Sequence, residues 1–463
     1  MAHLNKPVNS VLELIGNTPM LKVNNVDTGK CDLFLKLENQ NPGGSIKDRI
    51  GLSMIDAAEK SGKINPGGTL IEATAGNTGL GLALVAAQKG YSLILVIPDK
   101  MSQDKIFHLR ALGAKVHLTR SDVGKGHPEY YQDVALRLNR EIENSFFINQ
   151  FENDANPYAH EHTTGPEIWE QMDHKVDAMV AGVGSGGTIT GLARFFKKVS
   201  PATEIVVADP VGSIVADVVN TGVTPNDVGS WVVEGIGEDF IPDIMDLKLI
   251  DKGYSISDKE ALFTAREILD KEGLLTGSSS GTLIAGAIRY CKEQTEAKRV
   301  VTLVPDTGNK YLSKAYNDYW MIDQGFIKTE VYGDLRDLIG RKQEDKAVVT
   351  VSPKDSLLTV YGRMKLYDVS QLPVLDEDGS LAGIIDEMDI LMTVGNDEAH
   401  FSKEVAEAMT SNLKTFGLKT PLEDLIPILE EGMVPIIQDE GGFHGIITRI
   451  DIINYLRAKL RGA

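Results

Sequence analysis

The chain of 463 residues has little cysteine and no long apolar segment. Cys31 and Cys291 are its only cysteines, which excludes a disulfide framework and a cysteine-based metal motif. No run of about 18 apolar residues occurs, so we expect no membrane-spanning helix. No apolar run follows the first residues, so we expect no secretion signal and a cytoplasmic location.

Positive charge is also scarce in this sequence. Lysine and arginine together number 47, against 66 aspartate and glutamate residues, which gives a formal net charge of −19. Because phosphate backbones and anionic lipids repel an acidic protein, neither nucleic acid nor a membrane is expected as a partner. The length and the 42% of hydrophobic residues instead predict more than one globular domain.

Strand-like and helix-like segments alternate from about residue 10 to about residue 320. Residues 93–98, 178–183 and 299–304, for example, are short apolar runs separated by segments of helical spacing. Apolar strands with helices between them predict an α/β fold, in which helices cover both faces of parallel sheets. Ligands of such sheets bind beyond the carboxyl ends of the strands.

One short stretch, Asn41 to Arg49, joins a predicted turn to a predicted helix. Lys47 would lie in the first turn of that helix, where the helix dipole favours anions over cations. A desolvated lysine has a lowered pKa and can form a Schiff base with an aldehyde. From this stretch alone, a surface lysine paired with Asp48 or Glu38 is the alternative.

Three loops of small residues each follow a predicted strand and precede a predicted helix. They are Thr74 to Gly79, Gly184 to Thr188 and Thr276 to Gly281. Backbone N–H groups at a helix start bind carboxylate or phosphate, and the second loop suits phosphate. It lacks the lysine of a nucleoside-triphosphate loop and the spacing of a dinucleotide loop. Any single loop is equally explained as a tight turn, but three such loops with Lys47 favour a binding site.

The carboxyl-terminal part contains an internal repeat that follows a charged segment. Residues 372–390 match residues 434–452, and the aligned Pro373 and Pro435 give an offset of 62 residues. Two copies of a strand–turn–strand–helix unit predict a pair related by a pseudo-twofold axis. The predicted boundaries are 1–325 for a catalytic domain, 326–345 for a linker, 346–398 for the first repeat and 403–460 for the second.

Several motifs of this chain are similar to those of a known family. They are Gly16 to Pro19, Asn41 to Arg49, Thr74 to Gly79, Gly184 to Thr188, and Pro305-Asp306. Their content and order resemble the two-lobed, fold-type-II pyridoxal-phosphate enzymes, which are tryptophan-synthase-β-like. Within that group they resemble the cystathionine β-synthases and O-acetylserine sulfhydrylases. The tail resembles an α+β pair of CBS repeats, or Bateman module, so the resemblance covers nearly the whole chain.

The resemblance implies a cofactor, pyridoxal 5′-phosphate, bound covalently by Lys47. Asn77 would contact the ring 3-oxygen, and Ser279 would face the pyridine nitrogen. The implied phosphate-binding residues are Gly184, Ser185, Gly186, Gly187 and Thr188. The implied substrate-binding residues are Thr74, Ala75, Gly76, Asn77, Thr78, Gln150 and Glu234. Ala75 departs from the serine that many synthases have in this loop.

The implied activity is a lyase-type β-replacement in transsulfuration, in which serine and homocysteine give cystathionine and water. Glu234 would bind the homocysteine ammonium group, and hydrogen sulfide production is an expected side reaction. The segment Gln150 to Asn153 looks like a cysteine synthase, so O-acetylserine and sulfide are the alternative substrates. A second alternative is a sensor of an adenosyl ligand built on an inactive scaffold.

In the repeat pair, the resemblance implies that Thr448 and Asp451 bind S-adenosylmethionine or AMP. Asp386, at the position of Thr448 in the first repeat, would repel phosphate and weaken that site for nucleotides. A purely structural dimer module is the alternative. Nine residues precede Ser10, so no haem segment is expected. A homodimer or homotetramer is expected because both domain families commonly pair.

Overall fold

The computed structural model describes residues 7–74, 76–99, 103–124, 126–225, 227–328, 332–340, 343, 347–395 and 397–461. The chain divides into two compact units, Met1–Asn317 and Asp318–Ala463. Among the described residues, none of the helices combines the length and the apolar character that crossing a bilayer requires.

The strands of the first unit lie in two sheets. In chain order they are β1 (Met20–Lys22), β2 (Asp32–Lys36), β3 (Thr69–Glu72), β4 (Ser92–Pro98), β5 (Lys115–Thr119), β6 (Ser145–Phe147), β7 (Ala178–Ala181), β8 (Glu204–Pro210), β9 (Lys252–Ile256) and β10 (Arg299–Leu303). The first sheet has the strand order β1-β2-β10-β7-β8-β9, and the second has the order β5-β4-β3-β6.

Both sheets are parallel except at one edge, where β1 runs antiparallel to β2. Every residue of the central strand β7 is buried. Parallel strands are covered by helices on both faces, which explains why their sequences are continuously apolar. The predicted α/β fold with parallel sheets is confirmed, and β1 is an antiparallel addition of the kind that many such sheets carry.

Helices cover the sheets of the first unit. In chain order they are α1 (Lys47–Lys60), α2 (Asn77–Lys89), α3 (Gln103–Ala111), α4 (Tyr131–Glu141), α5 (Ala155–Ala159), α6 (Gly165–Gln171), α7 (Gly187–Val199), α8 (Val215–Thr221), α9 (Asp258–Glu272) and α10 (Ser278–Lys292). One turn of π-helix, His160–Thr164, separates α5 from α6. As predicted, Lys47 lies in the first turn of α1, and α2, α7 and α10 each begin within a loop of small residues.

Two glycines bring α1 and α2 into direct backbone contact. A Cβ atom on Gly81 of α2 would lie 2.6 Å from the carbonyl oxygen of Lys47. A Cβ atom on Gly51 of α1 would lie 2.9 Å from the carbonyl carbon of Gly81. No side chain fits between the helices at this level, so the start of α1 is positioned by the backbone of α2.

Buried charges also fix the first turn of α1. The Arg49 guanidinium bonds to Glu38, with Nε–Oε2 at 2.7 Å, and to Glu167, with Nη2–Oε2 at 2.6 Å. The fully buried Lys36 Nζ lies 2.7 Å from Glu167 Oε2, and the Thr18 hydroxyl donates to Glu38 Oε1 at 2.6 Å. Two cations thus compensate two carboxylates, as buried charges require. The network connects α1 with α6 and with the Gly16-to-Pro19 motif.

The second unit contains two small sheets and five described helices. Its strands are β11 (Gln371–Leu375), β12 (Leu381–Asp386), β13 (Thr415–Phe416), β14 (Ile436–Asp439) and β15 (Gly442–Ile446). Its helices are α11 (Asp318–Asp323), α12 (Leu357–Tyr367), α13 (Glu387–Val394), α14 (Ile426–Glu430) and α15 (Arg449–Arg461).

The internal repeat of the sequence is visible in this second unit. Antiparallel β11 and β12 precede α13, and antiparallel β14 and β15 precede α15, which confirms the predicted repeated unit. Within the segment predicted as a linker, Leu335, Leu338 and Ile339 are buried in the same apolar cluster as Leu425 and Ile437 of the second repeat. Residues 332–340 therefore pack as part of that repeat.

The contact between α1 and α2 gives a testable prediction for Gly81→Ala. The new methyl group would overlap the Lys47 carbonyl, so we expect a loss of about 1–3 kcal/mol in the free energy of unfolding, measured with denaturant. The control is Gly362→Ala in α12, where a Cβ atom would meet nothing within 4 Å. That variant should gain roughly 0.5–1 kcal/mol, and equal effects in both variants would contradict the proposed overlap.

Candidate active site

A cavity of about 310 Å³ lies in the first unit. Many of its lining residues lie at or follow the carboxyl ends of β3 and β6 in one sheet and of β7 and β10 in the other. Parallel sheets bind their ligands at this end of the strands, so the position matches the expected location of a binding site.

Most of the predicted site residues converge on this cavity. Those that line it are Lys47, Thr74, Gly76, Asn77, Thr78, Gln150, Gly184, Ser185, Gly186, Thr188 and Ser279. Gly187, the first residue of α7, and Glu234 are not among the lining residues. Ala75 lies outside the described residues. Positions as distant as 47 and 279 in the sequence therefore meet at one cavity.

Lys47 is only partly accessible, and its amine has an unusual environment. Desolvation lowers the pKa of Lys47 to about 8, although the negative charges of Asp306 and Glu238 act in the opposite direction. Near neutral pH this amine loses its proton far more readily than an ordinary lysine. A neutral amine is the form that attacks a carbonyl or accepts a proton.

The loop before α7 is shaped to receive an anion. Gly186 has a φ of +84°, which favours glycine. A Cβ atom on Gly184 would lie 2.8 Å from the Gly235 carbonyl oxygen, and one on Gly187 would overlap the Asn156 amide. The first N–H groups of a helix have no partner within the helix, so those of α7 can bind phosphate here. This glycine cradle fits the phosphate of pyridoxal phosphate.

Asn156 connects the loop of residues 184–188 to the loop after β6, and both loops line the cavity. Its Nδ2 donates to Ser185 Oγ and to the Gln150 carbonyl oxygen, both at 2.9 Å. The side chain is almost completely buried, and its Oδ1 has no hydrogen-bond partner among the described residues. Sequence reasoning missed Asn156, because a single asparagine in a helix as short as α5 carries no recognisable signal.

His160 forms a hydrogen bond with the same loop. Its Nε2 lies 3.1 Å from Thr188 Oγ1, and its Nδ1 lies 2.9 Å from Thr164 Oγ1. Burial lowers the pKa of His160 well below its usual value, and the charge of Lys47 adds to the effect. The imidazole is therefore neutral and orients a hydroxyl that faces the cavity. It belongs to the π-helical turn, which the sequence did not predict.

Asn77 is held by charged neighbours on both sides of its amide. Its Nδ2 donates to Asp306 Oδ2 at 2.8 Å, and Lys310 Nζ donates to its Oδ1 at 2.6 Å. Tyr311 also donates to Asp306 Oδ2, at 2.9 Å. Burial raises the pKa of Asp306. The Pro305-Asp306 motif thus orients Asn77, a role that its position in the sequence did not indicate.

A buried carboxyl group joins the two loops predicted to bind the substrate. Thr78 Oγ1 donates to Gln150 Oε1 at 2.7 Å. Glu72, at the end of β3, accepts from the backbone N–H groups of Ala73 at 3.0 Å and Gln150 at 3.3 Å. Burial raises the pKa of Glu72 to about 7, and these donors oppose the shift. The loop after β3 is therefore connected to the loop after β6.

Glu234 lies beside the cavity, between two residues that line it, and is paired with a lysine. Its Oε1 forms an ion pair with Lys314 Nζ at 2.6 Å, and the exposed fraction of its side chain is 24%. Its backbone N–H donates to Ser278 Oγ at 3.1 Å. The carboxylate is therefore engaged by a lysine near the cavity and does not line the cavity itself.

Glu238, four residues later, does line the cavity. Burial raises the pKa of Glu238 to about 8, and the nearby charges of Asp239 and Asp209 add to the shift while Lys47 opposes it. Sequence reasoning noted the segment Val233 to Phe240 and selected Glu234 as an acid near the entrance, but it did not select Glu238 for the cavity wall. The spacing alone could not distinguish them, because no regular element fixes the direction of their side chains.

The predicted ligand residues of the repeat pair lie together at the start of α15. Thr448 Oγ1 donates to Asp451 Oδ2 at 2.5 Å, and the Thr448 backbone N–H donates to the same oxygen at 2.7 Å. In the first repeat, Asp386 accepts from the Asp389 N–H at 2.8 Å and caps α13. The two positions therefore correspond in structure as well as in sequence.

Comparisons with known proteins agree with the fold and the site. Residues 11–306 match the family of pyridoxal-phosphate dependent enzymes, and residues 344–396 and 404–458 each match the CBS domain. A cystathionine beta-synthase of Oryctolagus cuniculus is 37% identical over 97% of this chain and 85% of that protein. An O-acetylserine dependent cystathionine beta-synthase of Bacillus subtilis is 43% identical over 66% of this chain and 97% of that protein.

A crystal structure of a hydrogen sulfide-producing enzyme from Fusobacterium nucleatum is also similar. It has a TM-score of 0.61 and 38% identity, and the match covers 66% of this chain and 99% of that one. The chain therefore belongs to the family of pyridoxal-phosphate dependent enzymes, in its cystathionine β-synthase branch, with two CBS domains after the catalytic part. The predicted family, enzyme class and cofactor are confirmed.

Proposed function

We propose that this enzyme joins serine and homocysteine to form cystathionine and water. The observation that carries the proposal is the meeting of Lys47, Asn77 and the Gly184-to-Thr188 loop at one cavity, in a chain related to cystathionine β-synthases. The family name of these relatives supports the reaction class, which belongs to transsulfuration. O-acetylserine is the alternative donor, because the relative from Bacillus subtilis is described as dependent on it.

The cofactor would be held by residues that all lie at the cavity or beside it. Lys47 would bind it covalently, the glycine cradle of residues 184–188 would hold its phosphate, and Asn77 and Ser279 would contact its ring. When bound, pyridoxal phosphate supplies an electron sink that stabilises negative charge at the substrate α-carbon. The low pKa of Lys47 suits an amine that must be neutral for part of each cycle.

The chain's own residues would then position serine and move its protons. The loop of residues 74–78 and Gln150 would bind the serine carboxylate. Lys47 Nζ would accept the α-proton and later return it to the α-carbon of the product. The Phe151 and Phe240 rings, with centroids 5.7 Å apart, would limit water access, since Phe151 lines the cavity. Glu234 would bind the homocysteine ammonium group by exchanging its present partner, Lys314.

Replacing Lys47 tests the central role. Lys47→Ala should lose both turnover and the visible absorbance of the bound cofactor, because the amine that forms the covalent link is gone. Lys60→Ala, an exposed lysine at the other end of α1, is the matched control and should remain yellow and active. Absorption spectra and steady-state rates of the two purified proteins suffice. A Lys47 variant that stays yellow and active would refute the assignment.

A comparison of substrates tests the reaction. The rate with serine and homocysteine should exceed the rate with O-acetylserine and sulfide. The reason is that Glu234 can bind the ammonium group of homocysteine, which sulfide lacks. A faster reaction with O-acetylserine and sulfide would instead support the cysteine synthase alternative. Hydrogen sulfide released from cysteine and homocysteine would measure the proposed side reaction.

The regulatory part of the proposal concerns the two CBS repeats. We propose that they span residues 346–398 and 403–460, and that a catalytic domain of residues 1–325 and a linker precede them. We propose that Thr448 and Asp451 bind an adenosyl ligand, with S-adenosylmethionine preferred over AMP. We further propose a homodimer or homotetramer.

Calorimetry on the full chain tests the adenosyl site. S-adenosylmethionine should release or absorb heat on binding, and Asp451→Ala should lose that signal because the carboxylate would contact the ribose hydroxyls. The Asp386→Ala variant, in the first repeat, is the matched control and should retain the heat signal of S-adenosylmethionine binding. No heat from either S-adenosylmethionine or AMP would favour a purely structural module, whereas heat without any turnover would favour the sensor alternative.

A further inference from the structure

The charges at the cavity wall are few. Among the described residues that line it, Lys47 and Glu238 are the only ones with a side chain of the acidic or basic type. The other lining residues are glycines, neutral hydroxyl and amide side chains, and apolar groups. If an acidic or basic side chain of this wall exchanges a proton with a bound substrate, that side chain is therefore Lys47 or Glu238.

Glu238 is held by its backbone, and its carboxyl group is left available. Its backbone N–H donates to Ser213 Oγ at 3.0 Å, and its carbonyl oxygen accepts from the Ile214 N–H at 3.0 Å. Within the described part of the chain, its carboxyl oxygens take part in no hydrogen bond or ion pair, in contrast to Glu234, which is paired with Lys314. A carboxyl group at the cavity wall that has no partner among the described residues is available to a bound ligand.

The reaction proposed above also transfers a proton to the oxygen that leaves Cβ, in addition to the α-proton that Lys47 accepts. Hydroxide is a poor leaving group, so the Cβ–O bond of serine breaks readily only when the oxygen receives a proton. We propose that Glu238 is the catalytic residue that donates this proton. The inference rests on the proposed function, because it concerns the leaving group of the same reaction.

The proposed step balances in protons and electrons. The Glu238 carboxyl proton passes to the serine hydroxyl as the Cβ–O bond breaks and its electron pair stays with oxygen, which leaves as water. The resulting carboxylate then accepts the proton of the homocysteine thiol as the sulfur forms its bond to Cβ. Glu238 is thereby protonated again, and no further reactant is consumed.

The surroundings of Glu238 favour the protonated form at neutral pH. Burial is the main cause, and it is reinforced by Asp239 in the same loop and Asp209 at the end of β8, while Lys47 from α1 opposes it. Tyr131 of α4 also faces this carboxyl, since the charge of Glu238 contributes to the raised pKa of that phenol. With a pKa of about 8, the acid is a donor below that pH and loses this ability as the pH rises through it.

The test compares two donors in the holoenzyme of Glu238→Gln. With serine, kcat/KM should fall by about 100-fold or more, which is the usual contribution of a general acid. With O-acetylserine, whose acetate leaves without a proton, the change should stay within about threefold. In the unmodified enzyme, the rate with serine should also show a decline near pH 8 that the rate with O-acetylserine lacks. Titration of Lys47 would affect both donors alike.

Two further measurements separate this role from a structural one. Infrared spectra of the full-length holoenzyme should contain a protonated carboxyl band that titrates near pH 8 and is absent from Glu238→Gln. Asp239→Asn, the exposed neighbouring acid, should preserve the preference between the donors. It should move the decline with serine to lower pH, since removing a negative charge lowers the pKa of Glu238.

Three results would overturn the inference. One is an equal loss with both donors, which would mean that Glu238 only maintains the structure. Another is a raised KM for homocysteine with an unchanged serine step, which would make Glu238 the ammonium contact. The third is the absence of the titrating carboxyl band, which is measurable without turnover. Failure of the unmodified enzyme to use either donor would instead refute the proposed function.

Discussion

The position of Lys47 depends on a buried group of charges below it. Arg49, two residues later on α1, is bound by Glu38 and Glu167, and Lys36 completes the neutral set. Removing one member of such a set leaves an unpaired charge in the protein interior, which typically costs about 3–5 kcal/mol. The first turn of α1 therefore has one stable orientation. This network thus fixes the backbone that carries the poorly solvated amine of Lys47.

The walls of the cavity are connected to one another by buried polar side chains. Asn156 bonds to both Ser185 and the Gln150 carbonyl, so the loop of residues 184–188 and the loop after β6 share one anchor. Asp306 orients Asn77 from the end of β10. Each of these groups lies on a different segment of the chain. The cavity thus keeps its shape through contacts between segments that are far apart in sequence.

The sequence was sufficient for the fold class and for most of the cavity, because glycine loops and apolar strands are local patterns. Lys47 and the Gly184-to-Thr188 loop were found in this way. His160 and Asn156 were not, since their roles depend on which residues the tertiary fold brings beside them. Glu238 was missed for a related reason: its segment is irregular, and alternation or helical spacing gives no direction for its side chain.

The backbone contact between α1 and α2 has a consequence for the position of Lys47 relative to Asn77. Lys47 begins α1 and Asn77 begins α2, and the glycines at 51 and 81 place the two helix axes as near as main chains allow. The backbone segments that carry the amine and the amide are therefore packed directly against each other. The outer faces of these helices take no part in this contact.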